Sequence, residues 1–183
     1  MPKRGKDTIT IGSCKVFLQV VEDTMPTRED LFKEENRLGY VKGGAALEYT
    51  QETYEEKDDL GYVSKIITVS EEVLVKLGLI TWNGDTLQLL VDRCTVTEGD
   101  GFRTIKIGGA GNAQGKYYAL GLQHEDEQDG DLYVIIKGRN TAGVTLTLAT
   151  DAGTLLEPEF KAVPHDDAGT LVELIEETTA AAG

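Results

Sequence analysis

The stretch Ala45-Ala46-Leu47-Glu48-Tyr49-Thr50-Gln51-Glu52-Thr53-Tyr54-Glu55, running into Glu56-Lys57-Asp58-Asp59-Leu60-Gly61, decides how this chain folds. Leu47, Tyr49 and Thr53 fall on one side of an extended segment, and Glu48, Thr50, Glu52 and Tyr54 on the other, the period-two spacing of a strand. The run from Glu55 to Gly61 is charged and closed by glycine, which is turn chemistry. From Tyr62 the chain returns towards Trp82. Ser70-Glu71-Glu72 could open a helix, but Val69, Val73, Val75, Leu77 and Leu79 share one alternating face and are mostly β-branched. The spacing therefore predicts a long antiparallel hairpin over 39–81.

Upstream, 8–21 reads as strand: Ile9 and Ile11 alternate with Thr8 and Thr10, and Val16-Phe17-Leu18-Gln19-Val20-Val21 follows the Gly12-Ser13 break. Residues 22–37 are charged and irregular, with Thr27 and Asp30 spaced to cap a short helical turn. After the hairpin, one principal helix is expected over 85–93. Asp85 stands as its N-cap and Gln88 as the capping-box partner, with Leu87, Leu90, Val91 and Cys94 forming the packed stripe. Downstream, short β segments at 102–107, 116–123, 132–137, 144–149, 157–163 and 171–176 alternate with Gly- and Asp-rich turns. The fold class expected is mainly β, two packed antiparallel sheets in a sandwich or barrel, with one short flanking helix and a protruding hairpin. A single domain over 1–183 is expected, with a loose tail at 177–183.

Acidic residues number 32 against 18 basic, a formal net charge of −14. Such a surface repels nucleic acid, because tight backbone binding needs Lys and Arg to displace counterions. It equally serves solubility alone. No run approaches the ~20 apolar residues of a membrane-spanning helix, and no apolar signal core follows the basic start, so membrane binding is not expected and synthesis in a cytoplasm is. Cys14 and Cys94 are far apart and lack a Cys-x-x-Cys pattern, which favours two separate reduced thiols.

Enzymatic motifs are missing. Gly108-Gly109-Ala110-Gly111-Asn112-Ala113 lacks the Lys-Ser/Thr of a phosphate loop and reads as a turn. His124 and His165 sit beside acids without a second ligand at metal spacing, and both read as solvated loop ends. Asp126, Asp129 and Asp131 lack the closing bidentate acid of a calcium loop. No catalytic residue, metal or cofactor is expected. The hairpin is more telling. Leu47, Tyr49, Tyr54, Asp58, Asp59, Leu60, Tyr62 and Val63 lie along it or at its tip, in a chain only 7% aromatic. Either it folds back on its own core or it presents a partner surface.

Gly44-Ala45-Ala46-Leu47-Glu48-Tyr49, Tyr54 with Asp58-Asp59-Leu60-Gly61, and above all Gly78-Leu79-Ile80-Thr81-Trp82-Asn83-Gly84-Asp85-Thr86-Leu87 resemble the tail tube (major tail) proteins of long-tailed phages and related prophage elements. The resembling stretch spans about 43–90. The resemblance implies a non-enzymatic structural subunit found in the virion tail: hexameric rings that close an inner β-barrel and stack into a tube, with hairpin and terminal arms reaching into neighbours. It implies other tail proteins at the tube ends as partners and DNA passing through the lumen during genome ejection without specific binding. No residue is assigned to the lumen. A contractile-tail or bacteriocin tube subunit shares the fold and is not separated by sequence. A monomeric carbohydrate- or calcium-binding β-sandwich module is the reading from another class.

Overall fold

The computed structural model describes residues 4, 8–10 and 12–178. Its strands are β1 (Lys15–Val21), β2 (Arg37–Gly39), β3 (Val41–Lys57), β4 (Ser64–Leu79), β5 (Cys94–Gly99), β6 (Phe102–Ile107), β7 (Tyr117–His124), β8 (Leu132–Asn140), β9 (Glu159–Val163) and β10 (Val172–Glu176). Helices α1 (Arg28–Leu31) and α2 (Gly84–Leu90) are both short. The protein is mainly β, as the strand spacing predicts. One large antiparallel sheet runs β2-β1-β7-β8-β9-β4-β3, and β5–β6 forms a separate two-stranded ribbon. β8 takes β7 along one edge and shares the other between β10, beside 132–136, and β9, beside 137–140.

Alternation along the strands decides what faces inward. Val16 and Leu18 of β1, Tyr118, Leu120 and Leu122 of β7, Ile136 of β8, Phe160 and Ala162 of β9, and Val73, Val75, Leu77 and Leu79 of β4 join one buried cluster. β1 and β4 stand far apart in strand order yet contribute to the same cluster, an arrangement consistent with a sandwich. Leu87 and Leu90 of α2 fill the remaining interior.

The opposite face of β1, β7 and β8 carries a second cluster, Phe17, Val21, Ala119 and Ile135, covered by Leu31. This places 22–37, for which the sequence offered only the Thr27 cap: the segment crosses the outside of the sheet. Thr27 accepts from the Asp30 amide as expected. The Phe32 ring stands edge-on to Phe17 at 5.2 Å and to Tyr133 at 5.0 Å. Gly121 makes room, since a Cβ there would lie 2.8 Å from the Phe32 ring.

Several expectations are corrected. The α2 cap is Asn83, not Asp85: Asn83 is extended, its Oδ1 accepts from the Thr86 amide at 2.9 Å, and Thr86 Oγ1 accepts from the Asn83 amide at 3.3 Å. The box closes two residues early because Gly84 lets the first turn lie against Arg103 and Ile105. The helix then stops at Leu90, where Val91 turns extended, so Val91 is a half-buried C-cap and Cys94 opens β5. Residues 144–149 alternate like a strand but have no ladder partner among the described residues; Val144 packs on the core while Leu146 and Leu148 stay exposed. The first strand begins only at Lys15. Ile9 is exposed, and Ile11 lies outside the described residues, as do 179–183 of the expected tail. Glu177, by contrast, is fastened, its amide donating to the Asp131 carbonyl at 2.9 Å. His124 is not solvated, whereas His165 stands in a loop as expected. His124 continues the inward row of β7 and is buried, with Nδ1 2.9 Å from the Ser13 carbonyl, and His165 is half-buried.

The cap assignment yields a discriminating pair of variants. Asn83→Ala is expected to cost about 1 kcal/mol in chemical denaturation. Asp85→Ala loses an exposed contact to Arg103 and is expected to cost less than half as much. A larger loss for Asp85→Ala would restore the original cap.

Candidate functional site: a protruding ribbon

The β3–β4 hairpin is anchored at its root and free beyond it. Val73, Val75, Leu77 and Leu79 are buried, and Leu47 opposite Val75 packs half-buried against the same core. From Glu48 to Glu71 every residue is exposed. At ~3.3 Å per residue, the eight residues 50–57 carry the ribbon about 25 Å beyond that root. β3 is the last strand of the sheet, so its outer edge is unpaired. β9 pairs with β4 only at Leu74–Lys76. Beyond Val73 the ribbon therefore has two open edges among the described residues.

Glycine shapes its departure. Lys42-Gly43-Gly44 bulge opposite Gly78, with Gly43 and Gly44 at φ 85° and 83°. A Cβ on Gly78 would meet the Lys42 carbonyl oxygen at 2.3 Å, so the two strands approach too closely there for any side chain. A second bulge inserts Val69 between Thr68 and Ser70, opposite Glu52 and Thr53, and leaves it exposed. Bulges add local twist and turn the ribbon away from the plane of the parent sheet.

Asp58 builds the tip. Its backbone amide donates to the Val63 carbonyl at 3.0 Å, and its carbonyl accepts from Gly61 at 2.9 Å. Its carboxylate accepts from the Val63 amide at 2.7 Å and the Leu60 amide at 3.3 Å. The Val63 amide foremost holds this carboxyl below the usual carboxylate range. Asp59 beside it is exposed. Across the ribbon, Tyr49 Oη donates to Glu71 at 2.6 Å, which pushes the phenol up, and Ser70 Oγ donates to Glu52 at 3.0 Å.

The site residues named from sequence thus divide. Leu47 belongs to the core. Asp58 is a turn former. Tyr49, Tyr54, Leu60, Tyr62 and Val63 are exposed, Tyr62 at 84%. Ile66 and Ile67, also exposed, were missed, although an Ile-Ile doublet in a segment with no buried face was a readable signal. Residues 48–72 carry Glu48, Glu52, Glu55, Glu56, Asp58, Asp59, Glu71 and Glu72 against Lys57 and Lys65. The ribbon is therefore apolar, acidic and open-edged together.

Among the described residues no cluster of three His, Cys, Asp or Glu stands at metal-binding distance. Asp126 and Asp131 fold their own loop instead: Asp126 accepts from the Gln128 and Asp129 amides, and Asp131 from the Asp126 amide. Burial pushes both the Cys14 and the Cys94 thiols up. No protein-family model and no curated protein matches the chain.

Because the folded-state pKa of Asp58 is depressed, the order it imposes on the tip is present above the ordinary carboxylate pKa. It is lost as pH falls through the lower folded value. Asp58→Ala is expected to speed amide exchange at Leu60 and Val63 at neutral pH while leaving the core melting transition in place. Unchanged exchange would remove Asp58 from this role.

Proposed function

We propose that this chain is a structural subunit of a phage-type tail tube. Copies join as stacked hexameric rings into a conduit for DNA, and the β3–β4 ribbon reaches from each copy to the next. The observation that carries this reading is the ribbon itself, a two-stranded extension that leaves the core with both edges open and apolar side chains exposed. Alone it is marginal. Against a second copy, its backbone groups gain ladder partners and its apolar area leaves water at roughly 25 cal/mol per Å². The family resemblance over 43–90 supplies the ring and the virion tail as its setting. The shared fold leaves a contractile-tail tube as a variant of the same proposal.

An acidic balance suits a conduit. DNA carries one charge per ~1.7 Å of axis, so basic walls would hold it and acidic walls let it slide. Ring symmetry repeats each luminal charge around the axis, and at ordinary salt such a ring acts over about 8–10 Å. No catalytic group, metal or cofactor is assigned under this reading.

Two measurements test it. Deleting Glu56 to Gly61 and joining Glu55 to Tyr62 is expected to leave the strand content and melting temperature of the subunit near those of the intact chain. Negative-stain images of the concentrated variant should lack the long tubes formed by the intact protein. Normal polymerisation, or failure to fold, would contradict the role. In a map of an assembled tube, the lumen is expected to carry net negative charge. A lumen lined mainly by Lys and Arg would contradict the sliding conduit.

A further inference from the structure

If ribbons reach out, some surface must receive them. On the outer face of the large sheet, in the row that also carries Ile135, three side chains stand together. Lys137 Nζ lies 6.0 Å from the centre of the Tyr117 ring, and Arg139 Cζ lies 5.5 Å from it. Lys137 and Arg139 alternate with Ile136 and Gly138, which are buried, so both cations point away from the core. They continue the row of Ile135, which belongs to the Leu31 cluster; Lys137 is half-buried and Arg139 exposed. Next to them Arg139 lies opposite Lys161, and Lys161 opposite Leu74 at the ribbon root.

Lys161 pairs with Glu72, whereas Lys137 and Arg139 form no ion pair among the described residues. Two unmatched cations stacked on one aromatic ring are notable in a chain with 32 acids and 18 bases. A cation over a ring face keeps its charge available while its stem is held in place.

We infer that the face formed by Tyr117, Lys137 and Arg139 is the docking site for the acidic β3–β4 ribbon of a second copy of this chain. This rests on the reading of the ribbon as an assembly element and names the surface it meets. The complement is chemical. The ribbon offers Glu52, Glu56 and Asp59 together with Tyr54, Leu60 and Tyr62; the receiving face offers two cations and an aromatic ring. A nucleic acid duplex fits less well. It needs many phosphates neutralised at once, and the acids of the surrounding surface oppose it. Ribbon and receiving face are different surfaces of one chain, so the contact is head-to-tail and propagates from copy to copy, closing a ring or extending a filament.

Paired charge reversals test this. One variant carries Lys137→Glu and Arg139→Glu; the other carries Glu52→Lys, Glu56→Lys and Asp59→Lys, leaving Asp58 in its turn. Self-association is read by sedimentation velocity in about 0.15 M salt, with circular dichroism confirming the fold. Each variant alone is expected to associate about tenfold or more weakly than the unaltered chain, because repulsion replaces attraction at the contact. Mixed together they should co-assemble, since each then offers the other a complementary partner. If the glutamate pair unfolds the chain, Lys137→Gln with Arg139→Gln replaces it and should weaken association in the same direction.

Unaltered self-association of the receiving-face variant would overturn this inference while leaving the ribbon's role to the tip deletion. A mixture no better than its components would also overturn it. So would a receiving-face variant that self-associates normally but loses binding to a fluorescent DNA duplex, which would assign the face to nucleic acid. An unaltered chain that stays monomeric at every concentration would refute both the docking site and the ribbon's assembly role.

Discussion

Backbone hydrogen bonding is the constraint on which the structure turns. Each strand residue brings a donor and an acceptor that must be paired or wet. Within the sandwich the ladders of β1, β7, β8, β9 and β4 meet that demand beneath one apolar cluster. Along the distal β3–β4 ribbon they meet only half of it: the strands pair with each other, and their outward groups face water. An edge of that kind, flanked by Tyr54, Ile66 and Ile67, attracts further strands. Charge restrains it, since eight acids on 48–72 discourage indiscriminate pairing of ribbon with ribbon. Under the proposed assembly, a ribbon both adhesive and acidic discriminates in favour of a basic, aromatic partner over another ribbon.

The root explains why the ribbon stands out instead of folding back. Its buried row ends at Val73, so nothing further along β4 can anchor to the core. The Gly43–Gly44 bulge opposite Gly78 then sets the direction of departure at a place where side chains would collide. α2, held by Asn83 and seated by Leu87 and Leu90, closes the sandwich directly after the return strand. Core, bulge and helix follow one another in sequence over 73–90, so the element that protrudes and the element that seals the core are positioned together.

Much of this was legible in the sequence because period-two alternation is local. Val73, Val75, Leu77 and Leu79 announce a strand and its buried face, and β6 was bounded to the residue. What escaped reading depends on neighbours distant in sequence. Residues 144–149 have strand chemistry, but a strand exists only where a ladder partner lies beside it. Asp85 has cap chemistry, but the close contact of Gly84 with Arg103 and Ile105 favours the cap at Asn83. His124 looks polar and loop-like beside Glu125 and Asp126, yet its parity along β7 turns it inward. The placement of 22–37 hinges on Gly121, far along the chain, lacking a side chain where Phe32 must sit. Lys137 and Arg139 were unremarkable as sequence, and only their shared approach to Tyr117 sets them apart.

The central claim is that the ribbon's open edges are covered by other copies of the chain. Amide hydrogen exchange measured across a range of protein concentrations tests it most directly. Amides of 50–57 and 64–72 are expected to exchange quickly in dilute protein and to become protected as concentration rises, while those of Leu120 and Ile136 stay protected throughout. Fast exchange along the ribbon at every concentration would contradict the account.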